Sequence, residues 1–365
     1  MNPLFVVVSS MQSVSPEMAL ARRMLRRALP RNAHWLDCGN RSAAEAVQAI
    51  SAPEESGLLL LAHDCLLPAP GTLDLLGESL RNADFADACD HIDPSPMPPP
   101  DYSTARGMER YAAASPPKTL AVSSDSPCLF RLTTLGGWAK ISRGVARGVR
   151  VSPAFVHDFI GYRGSERKEV LPLLPAGPRR ILDVGGGEGG FLSAAMALYG
   201  SEAHLVEIDV TAAGKAAGKV DRVWQGDFLS LDIPFEFDSV SFLDMLEHVA
   251  NPEDYLRRAA RLLAPGGSII ASIPNVGHWS VIADLIEGRW DYAPAGIHCI
   301  THLRFFTRRT IEDLFEDAGL FIELIEPVFQ PCPPEWKNRW SGTESLLADS
   351  SGMDTCAYLV RARPK

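Results

Sequence analysis

The chain has 365 residues, 46% of them hydrophobic, which is enough for two ordinary domains or for one domain with a large extension. Its formal net charge of −10 argues against nucleic acid as the main partner, because phosphate binding needs concentrated positive charge. No apolar run approaches the length that crosses a bilayer, so no membrane partner and a cytoplasmic location are expected.

Residues 1–150 carry α/β punctuation without a complete motif. Leu4 to Val8 reads as a buried first strand, too short and too poor in basic residues for a signal peptide. Ser15-Pro16-Glu17 opens an apolar-periodic helix that runs through Leu29. His34 to Leu36, Gly57 to Ala62 and Leu120 to Ser123 are further strands. Pro94 to Pro100 holds five prolines and predicts an extended, exposed segment. Cysteines stand at positions 38, 65, 89, 128, 299, 332 and 356. Their odd number and the lack of a C-x-x-C pair predict reduced thiols and no zinc site.

From residue 180 the pattern becomes specific. Arg180-Ile181-Leu182-Asp183-Val184 is a strand that enters the turn Gly185-Gly186-Gly187-Glu188-Gly189, and a helix follows from Phe191 to Tyr199. Glycine permits backbone angles closed to other residues and lets a ligand approach the main chain. The second strand, Ala203 to Val206, ends at Glu207, a position that commonly holds ribose hydroxyls in nucleotide-binding α/β folds. A third, Arg222 to Trp224, runs into Gln225-Gly226-Asp227-Phe228. A fourth, Ser239 to Leu243, runs into Asp244-Met245-Leu246-Glu247-His248. Asn251 is placed to cap the next helix, Pro252 suits its first turn, and Gly266-Gly267 are placed to end it. A fifth strand, Ser268 to Ile273, stops at Pro274-Asn275. Four successive strands thus end in polar residues at the edge where such sheets bind ligands.

These motifs, with Leu262-Leu263-Ala264-Pro265-Gly266-Gly267, resemble in order and spacing a class I S-adenosylmethionine-dependent methyltransferase, from about Tyr162 to Arg363. The stretches Ile273 to Trp279 and Thr301 to Thr307 are similar to a bacterial subgroup associated with surface-polysaccharide and natural-product pathways. Gly186 stands where many members of the family carry cysteine. Both residues are small, so no consequence is expected. The resemblance implies a Rossmann-like, seven-stranded, mostly parallel sheet in a methyltransferase domain over residues 151–365, joined to an N-terminal α/β domain over residues 1–150. Short stretches of that first domain, Leu59 to Asp64 with Pro68 to Leu73, and Cys128 to Arg131 with Gly136-Gly137-Trp138, resemble a GT-A glycosyltransferase. The paired carboxylates that hold a metal in those enzymes are missing, since Asp64 stands alone. A degenerate, inactive fold of that type and an unrelated α/β domain both remain open.

The resemblance also implies the cofactor, S-adenosyl-L-methionine, and its contacts. Gly185, Gly187 and Gly189 would run beneath the amino-acid end and the sulfonium. Asp183 would accept from the ammonium or stiffen the loop. Glu207 would hold the ribose hydroxyls, with Asp209 as its competitor, and Asp227 with the Phe228 N–H would meet the adenine. Asp244 and Met245 would line the sulfonium. The acceptor side lies between His278 and Arg304, dense in histidine, aromatic and arginine residues. His302 and His278 are candidate bases, and Arg304 and Tyr292 are candidates for orienting the acceptor. His248 reads as a packing residue and Cys299 as a buried thiol. The histidine spacings match no metal-ligand pattern, so no metal is expected. The long connection Gln330 to Asp354, with Trp336 and Trp340, would cover the site or form a homodimer contact. The expected reaction is methyl transfer to oxygen or nitrogen of a small-molecule acceptor: a sugar, a sugar nucleotide or a natural-product intermediate. The alternatives are cofactor cyclisation with release of methylthioadenosine, and a non-catalytic cofactor-binding scaffold.

Overall fold

The computed structural model describes residues 4–9, 15–38, 42–48, 50, 57–63, 66–69, 71–90, 118–123, 130–158, 161–339 and 351–365. Asp64, Pro94 to Pro100, Cys65, Cys128 and Trp340 lie outside the described residues. The chain divides into two compact units. The first comprises Met1–Ile160 with Asp291–Ile300, and the second Gly161–Trp290 with Thr301–Lys365. Among the described residues, no helix is long and apolar enough to cross a membrane.

The first unit is built on β1 (Leu4–Ser9), β2 (His34–Asp37), β3 (Leu58–His63), β4 (Leu66–Pro68), β5 (Phe85–Asp90), β6 (Lys118–Val122), β7 (Phe130–Thr134) and β8 (Gly148–Asp158). Their order is β2-β1-β3-β7-β5-β8-β4, with β6 also on β8. The sheet is mixed: β1 is parallel to β2 and β3, β7 is antiparallel to β3 and β5, and β5 is parallel to β8. The helix Pro16–Ala28 starts where the sequence predicts, with Ser15 Oγ accepting from Met18 N at 3.4 Å. It buries Met18, Ala21 and Leu25, one helical face, and Leu25 joins a core with Val6, Leu60, Leu76 and Phe130. Asp87 and Arg131 face each other across β5 and β7 in a buried fork, with Nε–Oδ1 2.7 Å and Nη2–Oδ2 2.9 Å. The guanidinium stacks over Phe85, so the pair is both satisfied and packed.

The second unit is built on β9 (Arg180–Val184), β10 (Glu202–Glu207), β11 (Arg222–Gln225), β12 (Phe237–Leu243), β13 (Leu263–Pro274), β14 (Leu320–Phe329) and β15 (Thr355–Pro364). The sheet order is β11-β10-β9-β12-β13-β15-β14. The four pairings from β11 to β13 are parallel, and β15 is antiparallel to both β13 and β14. The central strands are buried along their length (Ile181, Leu182 and Val184; Val240 and Phe242; Ile269, Ile270 and Ala271), as parallel strands covered on both faces must be. The chain leaves β9 toward β10 and β11 and returns to β9's other side with β12. The carboxyl ends of β9 and β12 therefore flank a topological switch point, where α/β sheets hold ligands.

Two boundary expectations are corrected here. Asn251 precedes the helix Pro252–Arg261, but its side chain makes no capping bond. The helix ends at Leu262, and Gly266-Gly267 lie inside β13. Pairing of Phe237 with Leu263 recruits this stretch into the sheet. A β-carbon at Gly267 would stand 2.9 Å from the carbonyl oxygens of Ala264 and Phe237, so a glycine is required for close approach of two strands.

Candidate functional site

The glycine turn after β9 forms one side of the site. Gly185, Gly187 and Gly189 have φ of 77°, 57° and 78°, in the left-handed region that L side chains rarely adopt. A β-carbon on Gly185 would stand 2.7 Å from Met245 Cγ, and one on Gly187 would stand 2.6 Å from Arg163 O. The turn is stitched by backbone: Gly185 N donates to Val206 O at 2.8 Å, and Glu188 N donates to Arg163 O at 3.0 Å. A β-carbon on Gly186 would meet Asp183 Oδ2 and Leu205 Cδ1, both side-chain ends, so a cysteine there would require those side chains to shift.

Glu207 closes β10 and is buried. Its Oε2 accepts from Gly187 N at 2.9 Å and its Oε1 from Asp209 N at 2.8 Å. The carboxylate is thus aimed by main chain, and each oxygen retains a second lone pair for a ligand. Asp209, its sequence competitor, has another task. Its Oδ1 caps the helix Val210–Ala216 through Thr211 N and Ala212 N, and its Oδ2 pairs with Arg163 at 3.1 Å. Ile208, next to Glu207, leaves 69% of its surface exposed, an apolar face beside the carboxylate.

Asp183 is buried inside β9 and accepts from Ser241 Oγ at 2.6 Å. Burial pushes its carboxyl up to about 7, against the Ser241 hydrogen bond and the charge of Arg167. This environment fits loop stiffening better than direct ligand contact. Asp227 is exposed and accepts from Tyr255 OH at 2.8 Å and Leu229 N at 3.2 Å. The Phe228 ring is buried in the core against Phe242 and Tyr255, so only its backbone is available to a ligand.

The end of β12 forms the other side. Asp244 has φ 52° and Arg167 φ 44°, the two non-glycine residues with positive φ among those described. They bind each other at 2.7 Å (Asp244 Oδ2–Arg167 Nη1), and Ser272 Oγ joins both. Glu247 follows in a short 3-10 turn, Leu246–His248. It is 0% exposed, and neither carboxylate oxygen has a hydrogen-bond partner among the described residues. Burial, and next the charge of Asp244, hold its carboxyl well above the usual range. Leu303 N and Arg304 N both donate to the Glu247 carbonyl, at 2.8 and 3.0 Å, and so bring His302 beside it. His302 Nε2 stands 3.9 Å from Glu247 Oε1, and the His248 and His302 rings meet edge to face at 4.7 Å. His248 is therefore a member of this cluster as well as a packing residue.

The remaining acceptor-side candidates scatter. His278 is buried, caps the helix Trp279–Ile286, and has its ring nitrogens 2.8 Å from Ser280 Oγ and 2.9 Å from Gln330 O. Both nitrogens are committed to the fold, which removes His278 as a base. The Arg304 guanidinium binds the carbonyls of Leu303 and Ala250, a stapling role. Tyr292 is 49% exposed and belongs to the first unit. Cys299 is buried, with Sγ 3.4 Å from Pro294 O. Trp336 packs on Trp279 and Cys332. Sequence reasoning missed Arg163, Arg167, Ser241 and Ser272 because their partners are remote in the chain. The adjacency Glu247-His248 was visible as a signal and was absorbed into the family motif.

Residues 159–324 match the family model described as a methyltransferase domain. The ubiquinone biosynthesis O-methyltransferase of Dechloromonas aromatica is 36% identical over 133 residues, which cover 32% of this chain and 57% of that protein. The enzyme of the same name from Aeromonas salmonicida is 31% identical over 172 residues, 44% of this chain and 70% of that protein. A solved O-methyltransferase from neocarzinostatin biosynthesis, in complex with S-adenosyl-L-homocysteine and 1,4-dihydroxy-2-naphthoic acid, is 17% identical with a TM-score of 0.35. It covers 54% of this chain and 51% of that one, a likeness too slight to carry more. On the matched methyltransferase domain and the Aeromonas salmonicida relative, the chain belongs to the S-adenosylmethionine-dependent methyltransferase family.

Proposed function

We propose that the second unit, a class I methyltransferase domain with a Rossmann-like sheet, methylates a hydroxyl oxygen of a small polar acceptor. The observation that carries this reading is the positive-φ glycine turn bonded to Glu207. Relatives whose names make them O-methyltransferases favour oxygen over nitrogen. Glu207 would take the ribose hydroxyls on its free lone pairs, and Ile208 would lie against the adenine, with Asp227 and the Phe228 N–H at its edge. Arg167 and Asp244, of opposite sign, present complementary charge to the carboxylate and ammonium of the amino-acid end. Bound cofactor supplies a methyl group already activated by its sulfonium. The residues then have to place the acceptor about 3 Å away, in line, and exclude water. A sugar, a sugar nucleotide or a phenolic natural-product intermediate fits a site that offers a buried acid and imidazoles. The test is a product assay with a panel of such acceptors. Formation of S-adenosylhomocysteine supports the reading, and methylthioadenosine without methylated acceptor would overturn it.

The first unit is read as a shortened nucleotide-sugar-type fold without transferase activity, with the functional division near residue 150. The antiparallel β7 between β3 and β5 supports that reading. Transfer or hydrolysis of a nucleotide sugar that requires Asp64 and a divalent metal would refute it.

A further inference from the structure

We infer that Glu247, His248 and His302 bind a divalent metal ion beside the methyl-transfer position, and that a hydroxyl of the acceptor completes its coordination. This rests on the methyltransferase reading above and names what that site would use to activate its acceptor. One ligand atom from each of the three residues lies within 4.8 Å of the others. A cation with bonds of about 2.0–2.2 Å sets its cis and trans ligands roughly 3–4.2 Å apart. His302 Nε2 and Glu247 Oε1, at 3.9 Å, fall in that range and outside hydrogen-bond distance. The spacing suits an ion between them better than a direct acid–imidazole bond.

The second observation is the state of Glu247. A carboxyl that is 0% exposed, with both oxygens unbonded, is costly to fold unless something neutralises it. The backbone holds it there all the same: its carbonyl takes two N–H groups, from Leu303 and Arg304, and this pins the His302 stretch to it. His302 is almost as buried as Glu247, while His248 is the accessible member. Two imidazoles and one carboxylate suit Zn²⁺, Mn²⁺ or Fe²⁺ and leave room for outside ligands.

The location also fits. Met245, two residues before Glu247, lies against the glycine turn at Gly185. An acceptor hydroxyl on the cation would therefore lie near the sulfonium end of the cofactor. Coordination lowers the pKa of a bound hydroxyl toward neutrality, and its proton leaves to solvent. The oxygen then forms the new O–CH₃ bond while the C–S bond breaks and its electron pair returns to sulfur, leaving a neutral thioether. Charge balances: one proton is released, and the sulfonium charge is lost. A vicinal diol or catechol, able to ligate through two oxygens, is the acceptor class that uses such a site best.

The experiment uses the full chain, stripped with a chelator and titrated with Zn²⁺ by calorimetry and with Mn²⁺ by electron paramagnetic resonance. Each variant is also titrated with S-adenosylhomocysteine. One ion per wild-type chain is expected. Affinity should fall at least roughly a hundredfold in His302→Ala and in Glu247→Gln, and also in the accessible His248→Ala, with S-adenosylhomocysteine binding retained. Retained cofactor binding without stoichiometric Zn²⁺ or Mn²⁺ binding, or metal affinity unchanged in all three variants, overturns the inference and leaves the methyltransferase reading standing. Loss of S-adenosylhomocysteine binding by wild-type protein would instead overturn the reading on which it rests.

Discussion

The two sides of the site satisfy their polar groups in opposite ways. Around the turn after β9, the acidic group is held by main chain: Glu207 accepts one N–H group on each oxygen, and the turn is cross-bonded to Val206 and Arg163. At the end of β12, Glu247 lies deeper and its carboxylate receives no hydrogen bond among the described residues, while Asp244 and Arg167 hold unusual positive φ. The first side is cross-bonded when the domain folds, so its geometry is fixed by main chain and contributes to stability. The second side is held at a cost by contacts elsewhere, a pattern expected where function rather than stability selects the residues.

The comparison breaks most sharply at the glycine turn. Gly187→Val would put a branched side chain at φ 57° against Arg163 O. Affinity for S-adenosylhomocysteine should fall by two decades or more, about 3 kcal/mol, while far-ultraviolet circular dichroism stays native. Micromolar affinity in the folded variant would show that this turn is not the cofactor cradle.

Asp183 tests whether the first side also carries a hidden cost. Its folded pKa of about 7 lies above the ordinary carboxylate value, so the native state holds a proton that the unfolded state has lost between about pH 4 and 7. Stability conferred by this group is therefore highest at low pH and declines as pH rises to about 7. The whole effect is on the order of 4 kcal/mol for a displacement of about three units. Urea unfolding of wild type and Asp183→Asn at pH 5 and 8 measures it. The variant should lose most of the pH slope, and an unchanged slope would assign the effect to another group.

Glu207 sharpens the assignment of roles on the first side. Glu207→Ala removes two hydrogen bonds that fix the turn and should weaken cofactor binding by about 1.5–3 kcal/mol. Asp209→Ala removes a helix cap and should cost about 1 kcal/mol of stability with a smaller effect on binding. Calorimetry and thermal melts on both variants decide the matter, and a reversed ranking would give the ribose to Asp209.

The smallest effect is expected in the stability of the second side. Glu247→Gln exchanges a buried acid for a neutral isostere. At pH 8 the apo protein should be as stable as wild type or more stable by about 1 kcal/mol, while methyl transfer falls. The sign follows from its raised pKa: rising pH removes stability from wild type but not from the amide. A clear loss of stability would mean that Glu247 is structurally required.

What the sequence determined by itself was local. Positive φ at residues 185, 187 and 189 can be met cheaply only by glycine, and an acidic residue closing an apolar strand marks the ligand edge, so Glu207 and the turn could be read without a structure. The helix capped by Ser15 was foreseeable for the same reason: a cap and an apolar periodicity are written in adjacent residues. The tertiary structure alone decided the rest, because those contacts join residues far apart in the chain. The Gln330 carbonyl accepts from His278 Nε2 and takes that imidazole out of chemistry, although its place in a histidine-rich stretch marked it as a base. Pairing between β12 and β13 moves Gly266-Gly267 from a helix end into a strand. The Asp183 and Leu205 side chains crowd the space beside Gly186. Two backbone hydrogen bonds from residues 303 and 304 bring His302 to Glu247, joining a histidine and a carboxylate whose separation in the chain gave no sign that they would meet.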